Sequence, residues 1–466
     1  MAENKKKKFK LIDAILGTVC LTLVCESVMP TAAIGNQQYF WWIFLLIAFC
    51  LPYGMITAEL GTSYPKNENM YDWVKRAFGP KWAGRVAWNY WVNFPLWIAS
   101  LAVAVTDIIA GIFNVELSIT MLLILQLGYV WLVTFLSTQR IGENKHVVNI
   151  GTFFKIFLLL GIGLLGVYCV FKTSKSANPI TGIKDLFPSM DLASWSFISI
   201  ILFNFMGFEV VGTWDEDMDN PKRDIPKALI IGGLLMAVFY ILPSAGFNVA
   251  LSPDVVAKMD PENVVEVLVT LLSTVGLSGM VLKAVVGVAG CMFIYTFVAN
   301  IASWSYGVNE VAAYAAEDGG MPKSFAVKNS ENVPVRAAII NGIVATFIVV
   351  GGIVANLISE DFGAGFSLFF KLSWITLLIG YAPMFLAFLK LRKTDPNTKR
   401  VYKVPGGNLM IKLMAWVPFI ILVAGIIFTL FGDFTMEYIK DSYPLYAGVI
   451  FSFICEEILV ARIKKH

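Results

Sequence analysis

The stretch from Phe203 to Gly233 reads FNFMGFEVVGTWDEDMDNPKRDIPKALIIGG, and it decides how the chain is organised. It begins as an apolar segment that carries Glu209 two residues after Gly207. A carboxylate inside a membrane helix costs about 2.5 kcal/mol or more, so such residues are functional by default. The glycine weakens the helix at the same place, and backbone stays unpaired in a bilayer only where it lines a cavity. We therefore interpret Glu209 as a functional residue; the alternative is a buried carboxylate that bonds to a neighbouring helix for packing.

The composition is typical of a polytopic membrane protein. Of 466 residues, 57% are hydrophobic and 15% are charged, whereas soluble domains carry about 25% charged residues. A membrane-spanning helix needs about 20 apolar residues, and twelve segments qualify: 11–34, 40–61, 88–113, 118–137, 148–171, 195–213, 228–251, 279–305, 335–357, 366–390, 410–431 and 443–462. The sequence therefore predicts an all-α fold with a tail over residues 1–10 and one transmembrane domain over residues 11–466.

The placement of basic residues predicts the orientation. Positive residues concentrate in cytoplasmic loops. Loops on the predicted outer side hold only Lys172, Lys175, Lys184, Lys258 and Lys440. The other side holds Lys66, Lys75, Arg76, Lys81, Arg85, Arg140, Lys145, Lys222, Arg223, Lys227, Lys323, Lys328, Arg336, Lys390, Arg392, Lys393, Lys399, Arg400, Lys403, Arg462, Lys464 and Lys465. Twelve helices with both termini in the cytoplasm satisfy this pattern, whereas eleven would invert the later loops.

The first apolar segment is predicted to be interrupted, like the sixth. Its sequence LVCESVMPTAAIG places Glu26 four residues before Pro30. Proline removes a helix donor and clashes with the carbonyl four residues earlier, so we expect a break near these two residues. Interrupted segments at matching positions of two halves indicate an inverted-repeat transporter with its site near the middle of the membrane.

Other polar and aromatic residues lie in the apolar segments. Lys155 stands in NIGTFFKIFLLL, and its position alone allows either a buried functional lysine or one near the headgroups. The aromatic residues are expected to be mostly interface belts or lipid-facing packing, with a few facing the cavity if it binds an organic cation. They include Phe40, Trp41, Trp42, Trp88, Tyr90, Trp91, Phe94, Trp97, Phe203, Phe205, Phe208 and Trp304.

Enzyme and channel functions are disfavoured. The chain has two histidines, His146 and His466, and six cysteines without metal-ligand spacing. These numbers make a metal centre or a nucleophile–base pair difficult to build, and we expect no cofactor and no disulfide. A channel would need a continuous polar path, but several segments are almost free of charge.

Four stretches carry a resemblance to a known family. GFE followed by EDMDNPKRDIPKAL resembles the most recognisable block of the amino acid–polyamine–organocation superfamily of transporters. AELGTSYPKNENMYDWVKRAFGPKWAG resembles its block between helices two and three, although Asn69 and Met70 replace a usual glycine pair. AAYAAEDGGMPKSFAVKNSENVPVRA and the TFFK of helix five resemble two further blocks.

The resemblance implies a LeuT-like five-plus-five inverted repeat with two extra helices, and alternating access around broken helices one and six. Glu209 matches an acidic residue that links substrate binding to conformational change in arginine/agmatine antiporters. Phe203 matches an aromatic gate, and Trp304 matches an aromatic residue that stacks on the substrate. Lys155 matches a lysine that takes the place of a sodium site and ties helix one to helix eight, which argues against sodium coupling.

The helix-one sequence CESVMPTAA departs from the glycine-rich stretch with which typical carriers of this superfamily hold a substrate carboxylate. It is similar to the helix-one stretch of glutamate/GABA exchangers. If Glu26 and Glu209 lie near one cavity, they would neutralise a substrate with two positive groups. We therefore expect an agmatine/putrescine-type antiporter of a bacterial cell membrane. Tyrosine/tyramine exchange, glutamate/GABA exchange and proton-coupled amino-acid uptake remain alternatives, because Glu26 could instead be structural.

The expected partners follow from the same interpretation. They are a small amino acid or amine and the lipid bilayer, with no nucleic acid. By analogy with the superfamily, we include a homodimer among the expected oligomeric states.

Overall fold

The structure is a computed structural model that describes residues 10–25, 28–64, 69–189, 195, 198–207, 209–211, 218, 220–256, 258, 263–359, 365–400, 402–432 and 434–463. Its α-helices are α1 (Leu11–Thr22), α2 (Gln38–Leu45), α3 (Leu51–Ser63), α4 (Asn69–Phe78), α5 (Pro80–Phe113), α6 (Ile119–Ser137), α7 (Ile141–Thr173), α8 (Ile198–Phe203), α9 (Pro221–Ala250), α10 (Pro253–Val256), α11 (Val264–Thr274), α12 (Gly279–Glu317), α13 (Val335–Ile358), α14 (Phe366–Thr394), α15 (Asn408–Phe431), α16 (Met436–Asp441) and α17 (Tyr443–Ala461). A 3₁₀ helix, Met29–Gln37, precedes α2, and one π-helical turn, Leu46–Cys50, joins α2 to α3.

The helices are those of a polytopic membrane protein. Ten helices within the described ranges are long and apolar enough to cross a membrane, from Ala33–Ser63 to Tyr443–Ala461. The all-α membrane architecture is therefore confirmed. The predicted first and sixth segments are not among the ten, because α1 has twelve residues and α8 has six.

The first segment is interrupted after α1. Leu23 is extended, with φ −81° and ψ 113°, and Pro30 lies in the 3₁₀ helix Met29–Gln37 that follows. The interruption begins several residues before the window from Glu26 to Pro30 in which a break was expected. Glu26 itself lies outside the described residues.

The sixth segment is interrupted after α8. Gly207 has φ +108°, a conformation that favours glycine. A Cβ atom at this position would lie 2.5 Å from Leu21 Cδ2 and 2.7 Å from Trp304 Cζ2. Gly207 is therefore required both by its backbone conformation and by the close approach of α1 and α12.

The long helices pack around α1, which contacts α7, α9 and α12. Helices α7 and α9 approach each other closely, since a Cβ atom at Gly166 would lie 2.3 Å from the Cα atom of Gly246. Small residues of this kind let the backbones of membrane helices come together. Helix α5 packs extensively against both α14 and α12.

A buried ion cluster joins the end of α3 to the segment between α14 and α15. Glu59 is 1% exposed. Its carboxylate accepts hydrogen bonds from Arg392 Nε at 2.8 Å, from Arg400 Nε at 3.1 Å and from the Val404 amide at 2.7 Å. A second nitrogen of Arg392 also donates to it. These bonds compensate the desolvation of the charges, so the cluster is stable only as a complete set.

We expect Glu59→Ala to lower the free energy of unfolding by about 3 kcal/mol, because it leaves without their carboxylate two arginine residues whose side chains are only 14% and 10% exposed. The measurement is chemical unfolding in detergent. Glu457→Ala is the matched control: Glu457 pairs with Arg85 at 2.6 Å, but its side chain is 59% exposed, so its loss should cost no more than about 1 kcal/mol. Equal losses in the two variants would contradict a structural role for the cluster.

Candidate functional site

The backbone of the interrupted first segment is bound by side chains of other helices. Lys155 of α7 is 1% exposed, and its ammonium group donates to the carbonyl oxygens of Cys20, at 2.5 Å, and of Leu23. Asn300 of α12 donates to the same two oxygens at 3.1 and 3.3 Å. Lys155 is thus buried, and its charge faces the carbonyl groups that the end of α1 leaves without amide partners.

Two more side chains complete this set of bonds. The Trp304 indole donates to the Leu21 carbonyl at 2.9 Å. The Tyr240 hydroxyl donates to the Thr22 carbonyl at 2.6 Å and accepts a hydrogen bond from the Val24 amide at 2.9 Å. In a continuous helix the Val24 amide would bond to the Cys20 carbonyl. Because tertiary contacts take both of these groups, α1 ends at Thr22 rather than at the later position that Pro30 suggested.

Glu209 is held by three tyrosine residues from three helices. Its carboxylate is 3% exposed. Oε1 accepts hydrogen bonds from Tyr90 of α5, at 2.7 Å, and from Tyr381 of α14, while Oε2 accepts one from Tyr53 of α3. All three tyrosine side chains are fully buried. The three phenol donors satisfy the carboxylate in an apolar interior, where an unbonded charge would be very costly.

A cluster of aromatic rings lies beside these two arrangements. Trp97 of α5 contacts Trp304 and Phe203 with centroid distances of 5.7 Å and interplanar angles of 86° and 89°. Phe203 also contacts Phe370 at 5.2 Å and Trp374 at 5.9 Å. We call these five rings the aromatic cluster. Aromatic faces attract ammonium and guanidinium groups, so such a cluster suits an organic cation.

The structure brings most of the predicted site residues together. Phe203 and Trp304 belong to the aromatic cluster, while Lys155 and Trp304 bind neighbouring carbonyl groups of α1. Gly207 packs on Trp304 and lies two residues from Glu209. Glu26 and Phe208 lie outside the described residues, and Pro30 lies in the 3₁₀ helix after the interruption.

The expectation that most of the aromatic residues face lipid or the membrane interface was wrong. Nine of the twelve named residues are buried: Trp41, Trp42, Tyr90, Trp91, Phe94, Trp97, Phe203, Phe205 and Trp304. They pack between helices, where large rings fill space. A polar tip on each tyrosine and tryptophan residue made an interfacial position equally plausible from the sequence.

Six residues of the site were missed by the sequence analysis, namely Tyr53, Tyr240, Asn300, Phe370, Trp374 and Tyr381. Their signal is weak, because a single tyrosine or asparagine residue is ordinary in a membrane helix. Asn300 could have been found as an amide in the apolar segment one turn before Trp304. In the described part of the chain, no group of three or more His, Cys, Asp or Glu side chains could hold a metal ion.

The fold and the site define a multi-pass membrane transporter. The sequence model of the amino acid permease family matches residues 9–454, and the chain belongs to this family. Proteins of this family are transporters rather than enzymes, and the ten apolar helices place the chain in a membrane.

Relatives of known and unknown function extend this assignment. The chain is 40% identical to the probable agmatine/putrescine antiporter of Lactococcus lactis over 462 residues, which are 99% of this chain and 96% of the relative. It is 26% identical to an uncharacterized transporter of Legionella pneumophila, over 91% of this chain and 89% of the relative. It is 24% identical to a glutamate/gamma-aminobutyrate antiporter of Lactococcus lactis, over 92% of this chain and 84% of the relative. These relatives are bacterial, which indicates a bacterial cell membrane.

We expect Lys155→Ala to lower transport at least tenfold, because each hydrogen bond from a charged group contributes about 1.5–3 kcal/mol and about 1.4 kcal/mol corresponds to a factor of ten. The measurement is the initial rate of substrate exchange in proteoliposomes. Lys172→Ala is the matched control, since Lys172 also lies on α7 and donates to a backbone carbonyl, that of Val275 at 2.6 Å, outside the site. A normal rate in Lys155→Ala, or the same loss in both variants, would return Lys155 to a merely structural role.

Proposed function

We propose that the chain is a sodium-independent antiporter that exchanges an amine or diamine for its precursor, of the agmatine/putrescine type. The observation that carries this proposal is the buried carboxylate of Glu209, held by three phenols beside the aromatic cluster. A carboxylate and aromatic faces are the two groups that bind organic ammonium ions. The identity with the probable agmatine/putrescine antiporter of Lactococcus lactis supports the same substrate class.

In the proposed mechanism, the cationic end of the substrate binds Glu209 and takes the place of phenol hydrogen bonds. Tyr53, Tyr90 and Tyr381 lie on three different helices, so a change in their bonds to Glu209 alters how α3, α5 and α14 are held together. Phe203 and Trp304 provide aromatic faces for the rest of the substrate. Exchange of occupants then accompanies rocking of the helices around the interrupted segments, as in alternating access.

Sodium independence rests on Lys155. Its ammonium group is bonded to the carbonyl oxygens of Cys20 and Leu23, which are the kind of ligand that coordinates sodium in transporters with unwound helices. A fixed positive charge at this place repels a second cation. Lys155 therefore holds the interrupted segment in the way that a bound ion would.

The finer architecture is part of the proposal. Ten long spans together with the interrupted first and sixth segments correspond to twelve transmembrane segments, and the interruptions support a five-plus-five, LeuT-like repeat. The distribution of basic residues supports cytoplasmic termini. Oligomerisation as a homodimer is compatible with this arrangement.

Glutamate/GABA exchange is the second candidate, supported by the relative of that name. It requires that a carboxylate-bearing substrate be accepted near Glu209, and therefore that Glu26 is structural or protonated. Amine exchange requires no such condition, because an additional acidic residue then attracts the substrate.

The test of substrate class is counterflow in proteoliposomes loaded with unlabelled putrescine. We expect uptake of labelled agmatine that depends on internal putrescine and does not change when sodium is removed. Labelled glutamate, tyrosine and arginine serve as competing substrates in parallel vesicles. Uptake of glutamate into parallel vesicles loaded with GABA, with no uptake of agmatine against putrescine, would overturn the amine assignment in favour of the second candidate.

The role of Glu209 is tested by Glu209→Gln in the same assay. Loss of one partner of a buried charge pair costs roughly 2–5 kcal/mol, so exchange should fall about thirtyfold or more while the protein stays folded. Glu456→Gln is the matched control: Glu456 is 2% exposed and accepts a hydrogen bond from Asn89 at 2.7 Å, but it lies on α17, which supplies no residue of the site. Full exchange by Glu209→Gln would remove Glu209 from the mechanism.

A further inference from the structure

Trp97 occupies a position that the proposed function does not explain. Its ring contacts both Phe203 and Trp304, and it is nearly perpendicular to each of them. Trp97 is 1% exposed. The two rings proposed to face the substrate are therefore both packed on a third ring, which comes from a different helix.

Phe203 and Trp304 are both confined by their surroundings. The Trp304 indole donates to the Leu21 carbonyl at 2.9 Å, and its ring lies so close to Gly207 that no Cβ atom fits between them. Phe203 is packed on Phe370 as well as on Trp97. Moving Trp304 would break a hydrogen bond to the backbone of α1.

Trp97 is not confined by a hydrogen bond. Its indole N–H is buried and has no hydrogen-bond partner among the described residues. A change of rotamer at Trp97 therefore breaks no hydrogen bond within that part of the chain. Because the rings are in contact with one another, a ligand can enter between them only if one ring moves. Of the two tryptophan rings that pack on each other, Trp97 is the one that can move without loss of a hydrogen bond, because the Trp304 indole is bonded to the Leu21 carbonyl.

The position of Trp97 along α5 also relates the aromatic cluster to the carboxylate. Tyr90, which bonds to Glu209, lies seven residues before Trp97 on the same helix. Residues seven apart share a face of a helix and are about 10 Å apart along its axis. A substrate with one cationic end at Glu209 and the other at the aromatic cluster must span the distance that α5 fixes between these two points.

We propose that Trp97 is the movable wall of the substrate site and determines the length of the amine that the site accepts. This inference rests on the proposed binding of substrate between Glu209 and the aromatic cluster. The indole limits the space at the far end of the site from Glu209. A smaller side chain at position 97 extends that space and favours a substrate with one more methylene group.

The experiment compares putrescine, which has four carbons, with 1,5-diaminopentane as labelled substrates for exchange. The measured quantity is the ratio of transport efficiencies for the longer and the shorter diamine, which does not depend on the amount of folded protein. Trp97→Leu should raise this ratio about tenfold, since one methylene group in an apolar pocket changes selectivity by roughly 10- to 200-fold. Trp97→Phe retains an aromatic ring and should raise it less, about threefold, which tests the proposal if the leucine variant does not fold.

Trp91→Leu is the matched control. Trp91 also lies on α5, is 4% exposed and has a buried indole N–H without a partner among the described residues, but it packs on Phe325 and Trp88. Its ratio should equal that of the unaltered protein. An unchanged ratio in both Trp97 variants, or an equal shift in Trp91→Leu, overturns the proposal.

Failure of the proposed function has a different outcome. If the unaltered protein exchanges glutamate and 4-aminobutanoate but no diamine, the amine assignment is wrong. Trp97 is then tested by the ratio of 5-aminopentanoate to 4-aminobutanoate, which also differ by one methylene group. A rise in that ratio in Trp97→Leu supports the movable wall, and an unchanged ratio overturns it.

Discussion

The carbonyl groups at the end of α1 are the constraint on which the rest of the site depends. In a membrane interior, each backbone polar group needs a partner within the protein. The carbonyl oxygens of residues 20–23 find theirs in side chains of α7, α9 and α12 rather than in the next turn of helix. The position of the interruption is therefore determined by three helices that follow much later in the chain.

This arrangement also fixes the place of the carboxylate. Trp304 bonds to the backbone of α1 and packs on Gly207, so the interruptions of the first and sixth segments are held against each other. Glu209 follows two residues later and meets the three tyrosine residues. One set of backbone bonds thus links the unwound segment, the aromatic cluster and the buried acid into a single site.

Much of this could be predicted from the sequence, because charges in apolar segments are rare. Glu209 and Lys155 stood out for this reason, and hydropathy identified the ten long helices. Phe203 and Trp304 came from the family resemblance rather than from a physical signal. The lysine is buried at the interruption of α1, where position alone left two interpretations open.

The remaining residues could not be predicted, because their partners are distant in sequence. Lys155 lies 132 residues from Leu23, and Trp304 lies 283 residues from Leu21. Proline at position 30 indicated that the first segment would be interrupted, but it carries no information about which carbonyl groups other helices would bind. A tyrosine residue in an apolar segment likewise gives the same pattern whether its hydroxyl group reaches the headgroups or a buried acid.

The contact between Gly166 and Gly246 has a consequence for the tolerance of the chain to mutation. These glycines let the backbones of α7 and α9 pack in direct contact. Lys155 on α7 and Tyr240 on α9 therefore bind the carbonyl groups of α1 from two helices whose spacing is fixed. Any side chain at either glycine would move Lys155 and Tyr240 apart and weaken their hydrogen bonds to α1. In a library of random variants, substitutions at Gly166 and Gly246 would therefore be depleted as strongly as substitutions at Glu209, although neither glycine is charged or contacts a ligand.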